Sequence, residues 1–100
     1  MKIVINRCFG RFGLSPKAFV MLNELGYKYS HNSEFEGDYH MRANSDLIDI
    51  VEQLGNNANG LCSRLKIIEI PDNATDWRIM NYDGDEEVIY VVDGIIHFES

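Results

Sequence analysis

Lys2-Ile3-Val4-Ile5-Asn6-Arg7-Cys8-Phe9-Gly10-Arg11-Phe12-Gly13-Leu14-Ser15-Pro16 follows the initial methionine and decides how the rest of the chain is read. Ile3, Val4 and Ile5 are consecutive β-branched residues, which suits a buried strand. Gly10 and Gly13 then interrupt the run and mark a bend or a close backbone approach. Ser15 can cap a helix and Pro16 is tolerated at its first position, so a helix begins where the loop ends. A strand, a glycine-containing turn and a helix start thus lie within the first sixteen residues.

Outward from there, Ala18, Met21, Leu22 and Leu25 keep helical spacing and Gly26 is a fitting terminator, which predicts a helix over Pro16–Leu25. Tyr27 and Tyr29 suggest a brief extended piece, and the polar residues from His31 to Asp38 suggest an exposed loop or loose hairpin. Leu47, Ile50, Val51 and Leu54 make a second helical stripe, capped by Asn44 or Ser45 and closed by Gly55. Asn56-Asn57 and Asn59-Gly60 are turn signals, with a helical turn expected around Leu61–Arg64. Four strands follow. Lys66–Ile70 is stopped by Pro71, Trp77–Tyr82 turns at Asp83-Gly84, and Val88–Val92 is joined to Ile95–Phe98 by the type I′ signal Asp93-Gly94. The fold class expected is α+β in one domain over residues 1–100, with about five strands in a mixed or mainly antiparallel sheet and two helices on one face.

A length of 100 residues supports one modest core and little room for a deep substrate cavity. The formal net charge of −7 argues against general DNA or RNA binding, which needs a basic face. It permits the reverse, in which the protein occupies a basic groove built for nucleic acid. No apolar run approaches the ~20 residues of a membrane span, and a soluble intracellular protein is expected. Cys8 and Cys62 are far apart and belong to no metal or redox motif, so two buried free thiols are expected rather than a disulfide.

The opening loop is the one candidate for ligand chemistry. A glycine turn feeding a helix N-terminus favours an anion, and Arg7 and Arg11 can add forked donors. Arg42 precedes the second helix and can join them, although pairing of each arginine with one of the sixteen acidic residues is the favoured reading. Candidate anion-binding residues are therefore Arg7, Gly10, Arg11, Gly13, Ser15 and Arg42. The spacing matches no nucleotide fingerprint, and a plain strand-to-helix turn with Phe9 and Phe12 pinned to the core is the favoured explanation. Candidate partner-binding residues are Tyr29, Glu34, Phe35, Glu36, Asp38 and Tyr39, which mix aromatics and acids on one predicted loop. His31, His40 and His97 have no second ligand at metal spacing, and no nucleophile has a visible base. Glu34, Glu36, Asp38, Asp83, Asp85, Glu86 and Glu87 gather near two turns, where carboxylates are usually solvated. No catalytic residue, metal or cofactor is assigned.

The start Lys2–Gly10 with Phe12-Gly13-Leu14-Ser15 resembles a family of small uncharacterised proteins encoded by bacteriophages and prophages. Arg42, Leu47, Val51–Gly55, Leu65–Asp72, Trp77 and Tyr82-Asp83-Gly84 resemble the same family. The resemblance is weakest over Tyr27–Tyr39 and at the end. Arg11 stands where members often carry glycine, and Ile95–Ser100 departs from a basic, aromatic ending. The resemblance implies a mobile-element accessory protein of the bacterial cytoplasm. The expected function is inhibition, by binding, of a host antiphage defence protein such as a CRISPR–Cas component or nuclease. Capture of a nucleotide or other anion by the opening loop is the alternative. A monomer or a homodimer through an edge strand is expected.

Overall fold

A computed structural model describes residues 1–29 and 39–100. Strand β1 spans Lys2–Asn6, helix α1 Pro16–Glu24 and helix α2 Ser45–Leu54. Strands β2 to β5 span Leu65–Glu69, Asp76–Tyr82, Asp85–Val92 and Ile95–Glu99. Single 3₁₀ turns precede and follow α2, at Met41–Ala43 and Gly55–Ala58. The helical turn expected around Leu61–Arg64 therefore falls before Asn59, where the chain leaves α2 without a break.

The α+β class holds, and the strands are antiparallel throughout, but they form two sheets. β1 pairs with β2, Val4 opposite Ile67, while β3, β4 and β5 pair in sequence order. The reason lies in β1. Val4 joins Ala18, Phe19, Leu22, Leu47, Ile50 and Val51 in a core built from both helices. Ile3 and Ile5 point the other way, into a second core with Ile68, Ile70, Ile79, Val88 and Tyr90. One flat five-stranded sheet with helices on one face would leave those isoleucines in water. Folding the β3–β5 sheet back over them buries both faces of β1, at about 1.5–3 kcal/mol per aliphatic side chain.

Local chemistry sets the element ends. The Ser15 side chain accepts from the Ala18 amide at 3.2 Å, and Asn44 caps α2 by accepting from the Asp46 and Leu47 amides. Asp93 and Gly94 both take positive φ, 53° and 78°, as a type I′ hairpin requires. Tyr27 is not in a strand. Its hydroxyl donates to Asp46 and accepts from Asn44, and its ring stacks on Tyr29 with centroids 5.9 Å apart. Tyr29 is thereby half-buried against the helices.

Candidate functional site

The opening loop is built into a junction between layers. Asn6 is fully buried where β1 ends, and its side-chain amide is saturated. Nδ2 donates to the Cys8 and Gly84 carbonyls at 3.0 and 2.7 Å, and Oδ1 accepts from the Arg64 amide at 2.8 Å. The Asn6 backbone amide donates to Glu86 Oε1 at 2.8 Å. Arg42, carried on the turn before α2, donates to both Glu86 oxygens at 2.6 and 2.9 Å. Its guanidinium lies 3.6 Å from the centroid of the Phe12 ring and 5.6 Å from that of Tyr39. Arg42 and Glu86 are both at 0% exposure. Arg7 reaches the same strand from outside, donating to the Glu86 carbonyl at 2.8 Å with Asp85 at 3.0 Å.

Glycines let the loop sit this close. Gly84 has φ +96°, and a side chain there would collide with the Gly10 backbone. Gly60 packs on Gly13 in the same way, a Cβ falling 2.8 Å from the Gly13 carbonyl carbon. The Gly10 amide donates to the Asp83 carbonyl at 3.1 Å.

These placements favour the structural reading of the loop over the ligand-binding one. The structure brings Arg7 and Arg42 to one residue, Glu86, but their charges are matched by Asp85 and Glu86 rather than offered to a ligand. The Ser15 hydroxyl is spent on its helix, and Gly10 and Gly13 serve backbone contact. Arg11 is exposed. Phe12 is buried as expected, but Phe9 is 76% exposed and pins nothing. Cys8 and Cys62 are free thiols, though Cys62 is exposed and Cys8 half-buried rather than both buried. Of the expected partner-binding residues, Glu34, Phe35, Glu36 and Asp38 lie outside the described residues. Tyr39 is exposed at the mouth of the turn that carries Arg42.

Glu86 is the residue that reading it as a solvated turn acid missed, and the signal was present. Val88 and Tyr90 face the core, and counting back by two along the strand puts Glu86 on the same face. Its carboxylate accepts three hydrogen bonds and has no route to a substrate, so it is a structural group. No group of three or more His, Cys, Asp and Glu side chains is gathered for a metal among the described residues.

The surface offers two other features. First, β5 is an edge strand exposed along its whole length, with Ile95 and Ile96 at 62% and Phe98 at 60% exposure. Register places Ile96 across from Val91 and Phe98 across from Ile89, so these four share the outer face of the three-stranded sheet. At the end of β5 lies a cleft of about 410 Å³ whose walls include Glu69, Asp72 and Glu99. Asp72 is paired with the Met1 amino group at 2.8 Å, whose hydrogen bond and positive charge lower its pKa below 3.8. Second, at the opposite edge, Tyr39, His40, Trp77, Arg78 and Ile79 line a cleft of about 360 Å³.

No helix of the described residues is long and apolar enough to cross a membrane. Comparison with known proteins adds no relative: no family model matches the chain, and no curated protein or solved structure does.

Proposed function

We propose that this chain acts by binding a protein, and that the contact is β5 with the outer face of its sheet. The observation that carries the reading is the run Ile95, Ile96 and Phe98, each about three-fifths exposed on a strand with one edge unpaired. An aliphatic and aromatic edge without proline or lysine is a template for strand addition. Its surroundings select the partner. Glu69 and Glu99 carry no ion pair among the described residues, Asp93 turns into the strand, and the whole chain carries −7. A strand laid along β5 would bring its next basic side chain into that acidic cleft. The partner is therefore a basic protein with an extended segment, of the kind that handles nucleic acid. The resemblance to phage-encoded proteins narrows this to a host defence component, inhibited by occupation of its basic groove.

The test is the pair Ile96→Glu with Phe98→Glu, in cells that carry a defence system and are challenged with phage. The reading requires protection of the phage, and co-purification with the defence protein, to fall at least about tenfold while the far-UV spectrum is unchanged. Val20→Glu, an exposed apolar position on α1, should leave both intact. Binding unaffected at β5, or lost equally at Val20, refutes it.

A further inference from the structure

The hydrogen-bond alternation of the β3–β5 sheet decides what the outer edge of β5 presents. Asp93-Gly94 is a two-residue type I′ turn, so Val92 and Ile95, which flank it, exchange backbone hydrogen bonds. Bonded pairs alternate along an antiparallel ladder, so Tyr90 with His97 and Val88 with Glu99 do the same. Val91 fixes the phase independently, because its carbonyl turns away from β5 and accepts from the Thr75 amide at 2.9 Å. The backbone N–H and C=O groups of Ile96 and Phe98 therefore point out of the sheet. They lie along an edge that no strand among the described residues covers. The same two residues supply exposed apolar side chains, at 62% and 60% exposure. Donors, acceptors and apolar surface thus coincide, placed symmetrically on either side of His97.

We infer that β5 pairs antiparallel with β5 of a second copy of this chain, on a two-fold axis through His97. In that register Ile96 lies opposite Phe98 of the second copy, and each such pair exchanges both of its backbone hydrogen bonds. Ile89 and Val91 stand behind each pair on the same face, so the apolar patch runs unbroken across the axis. Glu99 meets Ile95 of the second copy, so no two carboxylates are set opposite. The His97 ring stacks on Tyr90, with centroids 5.2 Å apart, which turns it back over its own sheet and off the axis. Sliding the register by one residue sets outward-pointing groups against residues whose own groups are spent on β4. Sliding it by two leaves part of the strand unpaired. The charge of −7 on each copy opposes the pairing. An edge of five residues is also small against the ~20–30 residues a side of a standard interface, so the dimer is weak and forms with concentration. The dimer stands without any other partner. Its role as a guard of the edge, which a partner strand must displace, rests on the protein-binding reading above.

Sedimentation of the purified full chain, alone, from about 5 µM to about 1 mM measures the pairing. The inference requires a monomer at the low end and a dimer at the high end. Raising salt from about 0.05 to about 0.5 M should tighten the dimer, because it screens like charges. The same change should loosen binding to a basic partner, so the two uses of the edge can fail separately. Two double variants at these exposed positions test the register. Ile96→Lys with Phe98→Glu sets opposite charges across both pairs, and Ile96→Lys with Phe98→Lys sets like charges. The first should dimerise at least about fivefold more tightly, although the second carries less net negative charge. A monomer throughout the range overturns the inference and leaves the partner contact standing. A dimer that salt loosens overturns it too. So does equal dimerisation of the two double variants, which would place the interface elsewhere or in another register.

Discussion

Replacing Glu86 by glutamine tests whether the junction beneath the opening loop holds the fold together. The change is nearly isosteric and removes one charge. The oxygen of the introduced amide can still accept from the Asn6 amide and one Arg42 nitrogen, which the carboxylate now holds at 2.8 and 2.6 Å. The new amide nitrogen, however, faces the second Arg42 nitrogen, now 2.9 Å from an oxygen, and sets donor against donor. More important, Arg42 stays fully buried while losing the Glu86 counter-charge. Removing one member of a buried pair costs about 3–5 kcal/mol. A domain of this size has roughly 5–15 kcal/mol in total, so a large share of its stability is lost. At about 4–8 °C per kcal/mol, the melting temperature should fall by at least ~12 °C.

The control is Arg42→Met with Glu86→Leu. Apolar replacement of both partners is neutral to favourable by about 1–4 kcal/mol. Against that, the Asn6 amide loses its acceptor, at about 1–3 kcal/mol. The double variant should therefore lie within about 3 kcal/mol of the parent, and above Glu86→Gln. Urea unfolding followed by circular dichroism gives all three values. A Glu86→Gln cost below about 1 kcal/mol would mean the pair is not desolvated, and would refute the reasoning. So would a double variant no more stable than the single one.

Other outcomes follow from single contacts. Gly84→Ala combines a positive φ with a collision against Gly10 and should cost at least ~2 kcal/mol in urea unfolding, whereas Gly94→Ala, with open space around it, should cost about 1 kcal/mol. Asp72 is held below 3.8 by the Met1 ammonium, so its contribution is present at neutral pH and is lost as pH falls from 3.8 through the lowered value. Asp72→Asn should therefore shift the urea midpoint slightly at neutral pH and not at all well below pH 3.8; a larger effect at low pH would reverse the sign. Cys62 is exposed and Cys8 half-buried, so an alkylating reagent should modify Cys62 first in the folded protein, as read by mass spectrometry of the peptides.

The local elements were legible because their signals are local. Ser15-Pro16, Asn44, Gly55 and Asp93-Gly94 each act within a few residues, and the observed boundaries fall within a few residues of those expected. The division into two sheets was not legible, since it depends on which face of β1 is covered by strands from the far end of the chain. The junction was half legible. Strand alternation alone points Glu86 inward, but nothing near Arg42 shows that it would meet Glu86, 44 residues away. A polar Asn after three aliphatics likewise reads as a strand end, whereas the partners that bury Asn6 include Arg64, Gly84 and Glu86, all remote in sequence. Phe9 and Phe12 look alike in sequence, yet Phe12 is taken into the helix-side core with the Arg42 guanidinium on its ring, while Phe9 stays exposed.

A buried ion pair is a poor way to gain stability, so its presence here asks for another reason. The cores on either side of β1 are aliphatic in the main, and aliphatic contacts alone do not fix how one sheet lies on another. The junction does. If β4 slipped by one residue against β3 and β5, Glu86 would turn to the outer face and take its carboxylate away from the buried Arg42. Asn6 would lose its Gly84 carbonyl, and Gly84 would no longer meet Gly10. Each loss alone is of order 1–3 kcal/mol or more, and the three occur together. The same register decides what the outside of that sheet presents. With Glu86, Val88 and Tyr90 held inward, Ile89 and Val91 must face out beside Phe98 and Ile96. With the Arg42 turn held against Glu86, Tyr39 must share the second cleft with Trp77. The proposed surface thus derives its geometry from the opening stretch, through the residue at which β1 ends.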